Sequence, residues 1–255
     1  MFELLFICGI FGFLFVVLKH LIDKSAHKRK IARDEQPPPT RKDAKREIDK
    51  FLDVKRKTRI IILDVETNGL NSQYSVLSCS AIKYEIDPKT YEMTEIGRFN
   101  RYYYPVEQFD PQAIAVNGLT REVIKEKRGD ATYPECFTED PDFENFCNGV
   151  LRFVAHNISF DGQFIPFMEG KKKLCTMMTN MDIVAVQYFE RKRQWKWPKL
   201  SETAHYYGIP FNECEVHGSM VDTEITSQIF MKMLHATRSQ NTTSPPSNTK
   251  PVKQT

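Results

Sequence analysis

The sequence predicts an α/β fold, a mixed β-sheet flanked by α-helices. Three observations carry this. Residues 60–63 are an unbroken apolar run that reads as a buried strand. Two more strand patterns follow with no helix between them, and helical patterns then alternate with short apolar strands. At 255 residues the chain can build one substantial core with appendages.

The first strand ends in chemistry. Asp64 and Glu66 stand two residues apart on it, and a side-chain period of two sends both carboxylates to one face. Thr67, Asn68 and Gly69 follow as a turn signal. Two acids at the end of a buried strand repel each other and are costly to desolvate. A cation between them relieves both problems, and hard oxygen ligands suit Mg²⁺ or Mn²⁺. Residues 76–86 and 95–104 read as the second and third strands of a meander, with Asp87-Pro88 turning between them. Residues 111–127 read as helix interrupted at Asn117-Gly118, and 129–141 as a polar loop. A short helix over 143–150 and a short strand over 152–155 come next. The stretch from His156 to Asp161 opens a helix expected to run to about residue 168. A strand over 174–178 and helices over 182–191 and 201–207 follow, the second stopped by Gly208-Ile209-Pro210. The last helix with its lead-in occupies 217–234, and no internal repeat is visible.

A net charge of +3 does not by itself announce a nucleic-acid binder. The six cysteines are scattered with no Cys-x-x-Cys pair, which excludes the zinc and disulfide-framework patterns and points to reduced thiols in a cytosolic domain. Residues 4–18 are apolar apart from Cys8, Gly9 and Gly12; with 1–3 and 19–22 they reach the length of one transmembrane helix. A cleaved signal peptide would carry a basic leading region and a small-residue cleavage site, and neither is present. Lys19, Lys24, Lys28, Arg29, Lys30 and Arg33 lie just downstream, so the positive-inside rule places the bulk of the chain on the cytoplasmic side of a single-pass anchor.

The expected organisation is an anchor over 1–22, a basic linker over 23–57 stiffened by Pro37-Pro38-Pro39, a folded domain over 58–238 and a disordered Ser/Thr/Asn/Pro-rich tail over 239–255. Within the linker, Ile48, Phe51, Leu52 and Val54 give a weak helical spacing. It reads either as a solvated linker helix or as a basic surface for anionic lipid or nucleic-acid phosphate.

Three distant segments belong together: Asp64 with Glu66, the strand-to-helix junction ending at Asp161, and His217-x-x-x-x-Asp222. An unbroken helix would put His217 and Asp222 on different faces, so Asp222 is expected in the first turns of the last helix and His217 on the loop before it. This pattern, with Asp161 in a His-Asn-x-x-Phe-Asp context, resembles the three motifs of the DEDDh, or DnaQ-like, 3'-to-5' exonucleases, a family that includes the proofreading subunit of bacterial replicative DNA polymerase. The resemblance covers nearly all of 58–238. The run from Asp64 to Leu70 is a specific match, and 113–120, 175–177 and 199–210 also look familial.

The resemblance implies a ribonuclease H-like mixed sheet and a metal-dependent 3'-5' exonuclease. It would act on single-stranded nucleic acid, DNA favoured over RNA, and release nucleoside 5'-monophosphates. Two Mg²⁺ or Mn²⁺ ions per site are implied. Asp64, Glu66 and Asp222 would hold one; Asp64 would bridge to the second, which Asp161 would reach directly or through water. His217 would be the general base. Thr67, Leu70, Gln112, Asn117, Asn157, Phe160 and His217 would contact the substrate. A DNA polymerase or another replication or repair protein is the implied partner, beside nucleic-acid 3' ends and the membrane.

Where many members carry an acid and a His, this chain has Gln112 and Asn117; Ser219 replaces a common Ala and Cys175 a common Asp. None of the four is an implied ligand, so these departures bear on substrate preference. His156 stands between a structural and a functional reading. Trp195 and Trp197, set among Arg191, Lys192, Arg193 and Lys196, read as two core anchors on a loop, with a track for a single strand as the alternative. Two other classes compete with the enzyme: a silent nucleic-acid-binding module on the same fold, and a membrane adaptor working through its basic linker and tail.

Overall fold

The computed structural model describes residues 44–53, 56–212 and 218–242. The expected anchor, the triple proline, His217 and the tail beyond 242 lie outside the described residues. Among those described, no helix is long and apolar enough to cross a membrane.

The chain runs α1 (Ala44–Leu52), β1 (Thr58–Thr67), β2 (Val76–Ile86), β3 (Met93–Tyr102), α2 (Pro111–Asn117), α3 (Arg121–Arg128), α4 (Asp142–Cys147), β4 (Arg152–Ala155), α5 (Ile158–Asp161), β5 (Lys172–Cys175) and α6 (Thr176–Val184). Two two-residue strands, β6 (Tyr188–Phe189) and β7 (Gln194–Trp195), precede α7 (Leu200–Tyr206) and the long α8 (Ser219–Thr242). The main sheet has the order β3-β2-β1-β4-β5. The meander β1–β3 pairs antiparallel, while β4 and β5 join parallel to β1. This is the mixed sheet the sequence predicts. β1 is central and apolar on both faces, so Ile60, Ile61, Ile62 and Leu63 are all fully buried. One core lies between the sheet and α1, α7 and α8; the other packs Phe99, Tyr103, Phe143 and Phe153 on the opposite face. Cys79, Cys136, Cys147 and Cys175 are free thiols, as expected.

Several boundaries differ from the sequence reading. The helix opening at His156 stops at Asp161; Pro166 bars its continuation, and Ile165 before it lies outside the helical region (φ −127°, ψ 75°). The fifth strand is earlier than expected, and the helix after it is α6, which ends where Ala185 turns left-handed (φ 50°). The chain beyond, expected as helix to residue 191, becomes the β6–β7 ribbon. The aromatics Tyr188, Phe189 and Trp195 favour extended pairing there. The last helix runs on to Thr242, past the expected end at 234.

The largest correction concerns the linker. α1 is no solvated helix: Ile48, Phe51 and Leu52 are buried in the core beneath α8. The Phe51 and Phe230 rings meet edge-on at 6.1 Å. Arg152, itself buried on β4, donates its Nε to the Phe51 carbonyl at 3.0 Å and so satisfies the C-terminal end of the helix. The packed unit therefore begins at least at Ala44 rather than at residue 58. Phe51→Ala should lower unfolding free energy by about 3–5 kcal/mol, the usual cost of emptying an aromatic core site. Equilibrium urea unfolding checks this; a loss below about 1 kcal/mol, as at a surface site, would mean that α1 is dispensable.

Candidate active site

The acids converge at the carboxyl end of β1. Asp64 and Glu66 share a face of that strand, opposite Ser80 and Ser78 of β2. Asp222 lies in the first turn of α8, its amide donating to the Gly218 carbonyl at 3.0 Å. One carboxylate oxygen from each of Asp64, Glu66 and Asp222 lies within 4.8 Å of the others.

Asp161 arrives differently. The β1–β4 ladder pairs only Ile61 with Phe153 and Ile62 with Val154 before β4 ends and the chain turns into α5. The Val65 amide, beyond that ladder, donates to Asp161 Oδ1 at 3.2 Å. Asp161 is thereby fixed to the backbone between Asp64 and Glu66, although it stands outside the 4.8 Å group of three.

A buried hydroxyl cluster that sequence reasoning missed seats α8 on the sheet. Ser78 Oγ donates to Ser219 Oγ at 2.9 Å, and Ser80 Oγ lies 2.7 Å from the same oxygen. Ser80 also donates to Asn100 Oδ1 at 2.9 Å, and Thr223 Oγ1 to the Ser219 carbonyl at 2.7 Å. Since Ser78 and Ser80 are the cross-strand partners of Glu66 and Asp64, this cluster sets the first turn of α8 beside the acids. Two serines at alternate positions in the otherwise apolar run 76–82 were the available signal.

Crowding governs the electrostatics. Burial, then the charges of Asp161, Glu66 and Asp222, pushes the Asp64 carboxyl well above the ordinary carboxylate range. Burial, followed by Asp222 and Asp161, lifts Glu66 to about 8. Burial lifts Asp161 to about 7. Among the described residues, no lysine or arginine forms an ion pair with Asp64 or Glu66. Oxygen-only donors that repel one another fit hard divalent cations.

The expected substrate contacts divide into two groups. Thr67 and Asn117 are tied into the fold: Thr67 Oγ1 donates to the Gly69 carbonyl at 2.6 Å, and Asn117 Nδ2 donates to the Thr67 carbonyl at 3.1 Å. Asn68, fully buried, reaches Glu107 and the Gln108 carbonyl, both at 2.8 Å, and holds the turn against the start of α2. Leu70 is 84% exposed, Gln112 and Asn157 are exposed, and Phe160 is half-buried against Phe164. His217 lies outside the described residues.

His156 resolves to a structural role. Its Nε2 lies 3.0 Å from the Pro198 carbonyl, which only accepts, so Nε2 carries the proton. Nδ1, 3.0 Å from Thr176 Oγ1, then accepts from that hydroxyl. Burial pushes the ring down to about 4, so it stays neutral with both nitrogens used.

Residues 61–230 match the model of the RNase_T exonuclease family. The chain is 26% identical over 184 residues to the DNA polymerase III subunit epsilon of Haemophilus influenzae, a match covering 69% of this chain and 67% of that protein. It is 27% identical over 177 residues to the PolC-type DNA polymerase III of Staphylococcus aureus, covering 68% of this chain but only 11% of that much longer protein. A solved structure of E. coli exonuclease I in complex with a 5cy-dT13 oligonucleotide shares the fold, with a TM-score of 0.50, 15% identity and coverage of 72% of this chain and 42% of that one. The chain belongs to the RNase_T exonuclease family and is an enzyme of the exonuclease class.

Proposed function

We propose that this protein is a metal-dependent 3'-5' exonuclease that removes nucleoside 5'-monophosphates one at a time from single-stranded nucleic acid, DNA before RNA. The observation that carries the proposal is the convergence of Asp64, Glu66 and Asp222 within 4.8 Å, with Asp161 fixed to the Val65 amide beside them. The preference for DNA follows the likeness to DNA polymerase III proteins, which also makes a replication or repair protein the natural partner.

Four residues are assigned to hold Mg²⁺ or Mn²⁺: Asp64, Glu66 and Asp222 as one group, and Asp161 completing the second position. When bound, such cations acidify the attacking water and stabilise charge on the attacking and leaving oxygens of an in-line displacement. The chain's own residues do the rest. Asp161, anchored on β1, keeps its carboxylate aimed at the scissile region. The serine cluster under α8 holds Asp222 in place without spending charge. His217 accepts the proton of the attacking water, a role for which a neutral imidazole is suited near physiological pH. The exposed Leu70, at the turn after the acids, packs against the 3'-terminal nucleotide.

The test is a 5'-labelled single-stranded DNA oligonucleotide incubated with Mn²⁺, beside a matched RNA. The proposal expects a ladder shortening from the 3' end, release of 5'-monophosphates, complete suppression by EDTA and faster loss of the DNA. Internal cuts, shortening from the 5' end or indifference to EDTA would contradict it. Tethering through residues 1–22, with this domain facing the cytoplasm, is part of the same reading. It rests on the apolar run 4–18 and the basic residues behind it. Extraction of cell membranes with alkaline carbonate should leave the full chain in the pellet.

A further inference from the structure

The tryptophans expected as core anchors stand outside the core: Trp195 is only half-buried and Trp197 is 55% exposed. Trp195 lies on β7 of the β6–β7 ribbon, which is separate from the main sheet, and Trp197 stands two residues beyond the end of β7. Tyr188 pairs with Trp195 across the ribbon, their rings edge-on at 5.1 Å. The Lys196 amide donates to the Gln187 carbonyl at 2.7 Å, which continues the register. Val186 and Trp197 flank this pair just outside the two strands. Val186 is 41% exposed, so with Trp197 the base of the ribbon offers ring and apolar surface to solvent.

The tip of the ribbon is basic. Arg191, Lys192 and Arg193 are all exposed, next to a single acid, Glu190. Lys196 is held by Glu202 at 2.6 Å, whereas Arg191 and Lys192 form no ion pair among the described residues.

The root of the ribbon is anchored at the acidic end of the sheet. Pro198, the residue after Trp197, accepts from His156, which directly follows β4 and stands five residues before Asp161. The neutral, doubly hydrogen-bonded His156 thus ties the ribbon to the segment that delivers Asp161.

Exposed rings beside uncompensated cations match the two recognition elements of a single strand, stacking on bases and attraction to phosphates. We propose that the β6–β7 ribbon is a binding track for single-stranded nucleic acid, holding the strand a few nucleotides inward from the 3' end by stacking on Trp197 and by phosphate contacts from Arg191 and Lys192. The positive tip favours this polyanion over a protein partner. The placement relative to the 3' end rests on the exonuclease reading above; binding to the strand does not.

The test is equilibrium binding of fluorescein-labelled 16-nucleotide oligothymidylate to the full chain in EDTA, read by anisotropy. Trp197→Ala should weaken binding about tenfold, as expected for the loss of one stacked base. Arg191→Ala with Lys192→Ala should lower the slope of log affinity against log salt by about 1–1.4, at about 0.7 per phosphate contact on a single strand. Lys89→Ala, in the turn between β2 and β3 at the far end of the sheet, is the charge control and should change neither quantity. All these side chains are exposed, and thermal unfolding verifies that the variants fold. Affinity unchanged in Trp197→Ala, or a salt slope unchanged in the double variant, overturns the proposal and leaves the ribbon as a protein-docking face. If wild type binds through the ribbon yet yields no 3' ladder with Mn²⁺, the track stands and the exonuclease reading fails.

Discussion

Asp64→Asn should reduce nucleotide release at least about 10³-fold while raising the thermal stability of the metal-free protein. The first effect follows from the position of Asp64 among the carboxylates. Metal assistance contributes several kcal/mol of transition-state stabilisation, and each 1.36 kcal/mol is tenfold in rate, so losing the central ligand costs about three decades or more. The second effect has the same origin. Asp64 is pushed well above the ordinary carboxylate range by burial and by its neighbours Asp161, Glu66 and Asp222. A neutral amide of the same shape removes that repulsion, with an expected gain on the order of 1–3 kcal/mol. Single-turnover assays and calorimetric unfolding in EDTA measure the two. A loss of activity accompanied by a loss of metal-free stability would mean that Asp64 serves the fold rather than the chemistry.

The metal-free protein should also become less stable as pH rises from about 5 to about 8, and Mn²⁺ should reverse the trend. Glu66 is lifted to about 8 and Asp161 to about 7 in the fold, each above its ordinary carboxylate value. Between that ordinary value and the raised one, the native state binds more protons than the unfolded state. Stability therefore falls with increasing pH across this window and levels off above it. Cations compete with those protons for the same oxygens, so their affinity should strengthen over the same interval. At 100 times its dissociation constant a bound ion adds about 2.7 kcal/mol, enough to offset much of the loss. Thermal melts at stepped pH, with EDTA or with Mn²⁺, test this. A metal-free stability that rises from pH 5 to 8 would mean that the acids are compensated by groups this account has not identified.

The parts legible in the sequence were those written in local periodicity. The apolar run 60–63 with its paired acids, the strand over 76–86 and the strand over 152–155 could be placed because side-chain alternation and turn residues act over a few positions. Asp222 could be set in the first turns of the last helix from its five-residue spacing to His217. What stayed hidden was long-range. Ile48, Phe51 and Leu52 look like a sparse pattern in a charged segment, and only their packing against distant residues of α8 and the sheet explains their burial. Ser78, Ser80 and Ser219 are 139 and 141 positions apart in their contacts, and nothing local marks three hydroxyls as partners. The helix expected over 182–191 gives way to β6 at its end, and Trp195 and Trp197, read as core anchors, stand half-buried and exposed, because exposure depends on whether neighbouring elements cover a face.

The central claim is that Asp64, Glu66 and Asp222 form a divalent-cation centre with Asp161 alongside. Anomalous diffraction from crystals grown with Mn²⁺ addresses it most directly. The account predicts a strong peak among the oxygens of Asp64, Glu66 and Asp222, a second close by on the Asp161 side, and the loss of both in Asp64→Asn. Manganese bound elsewhere on the protein, or no peak between these carboxylates at saturating Mn²⁺ and pH 8, would contradict it.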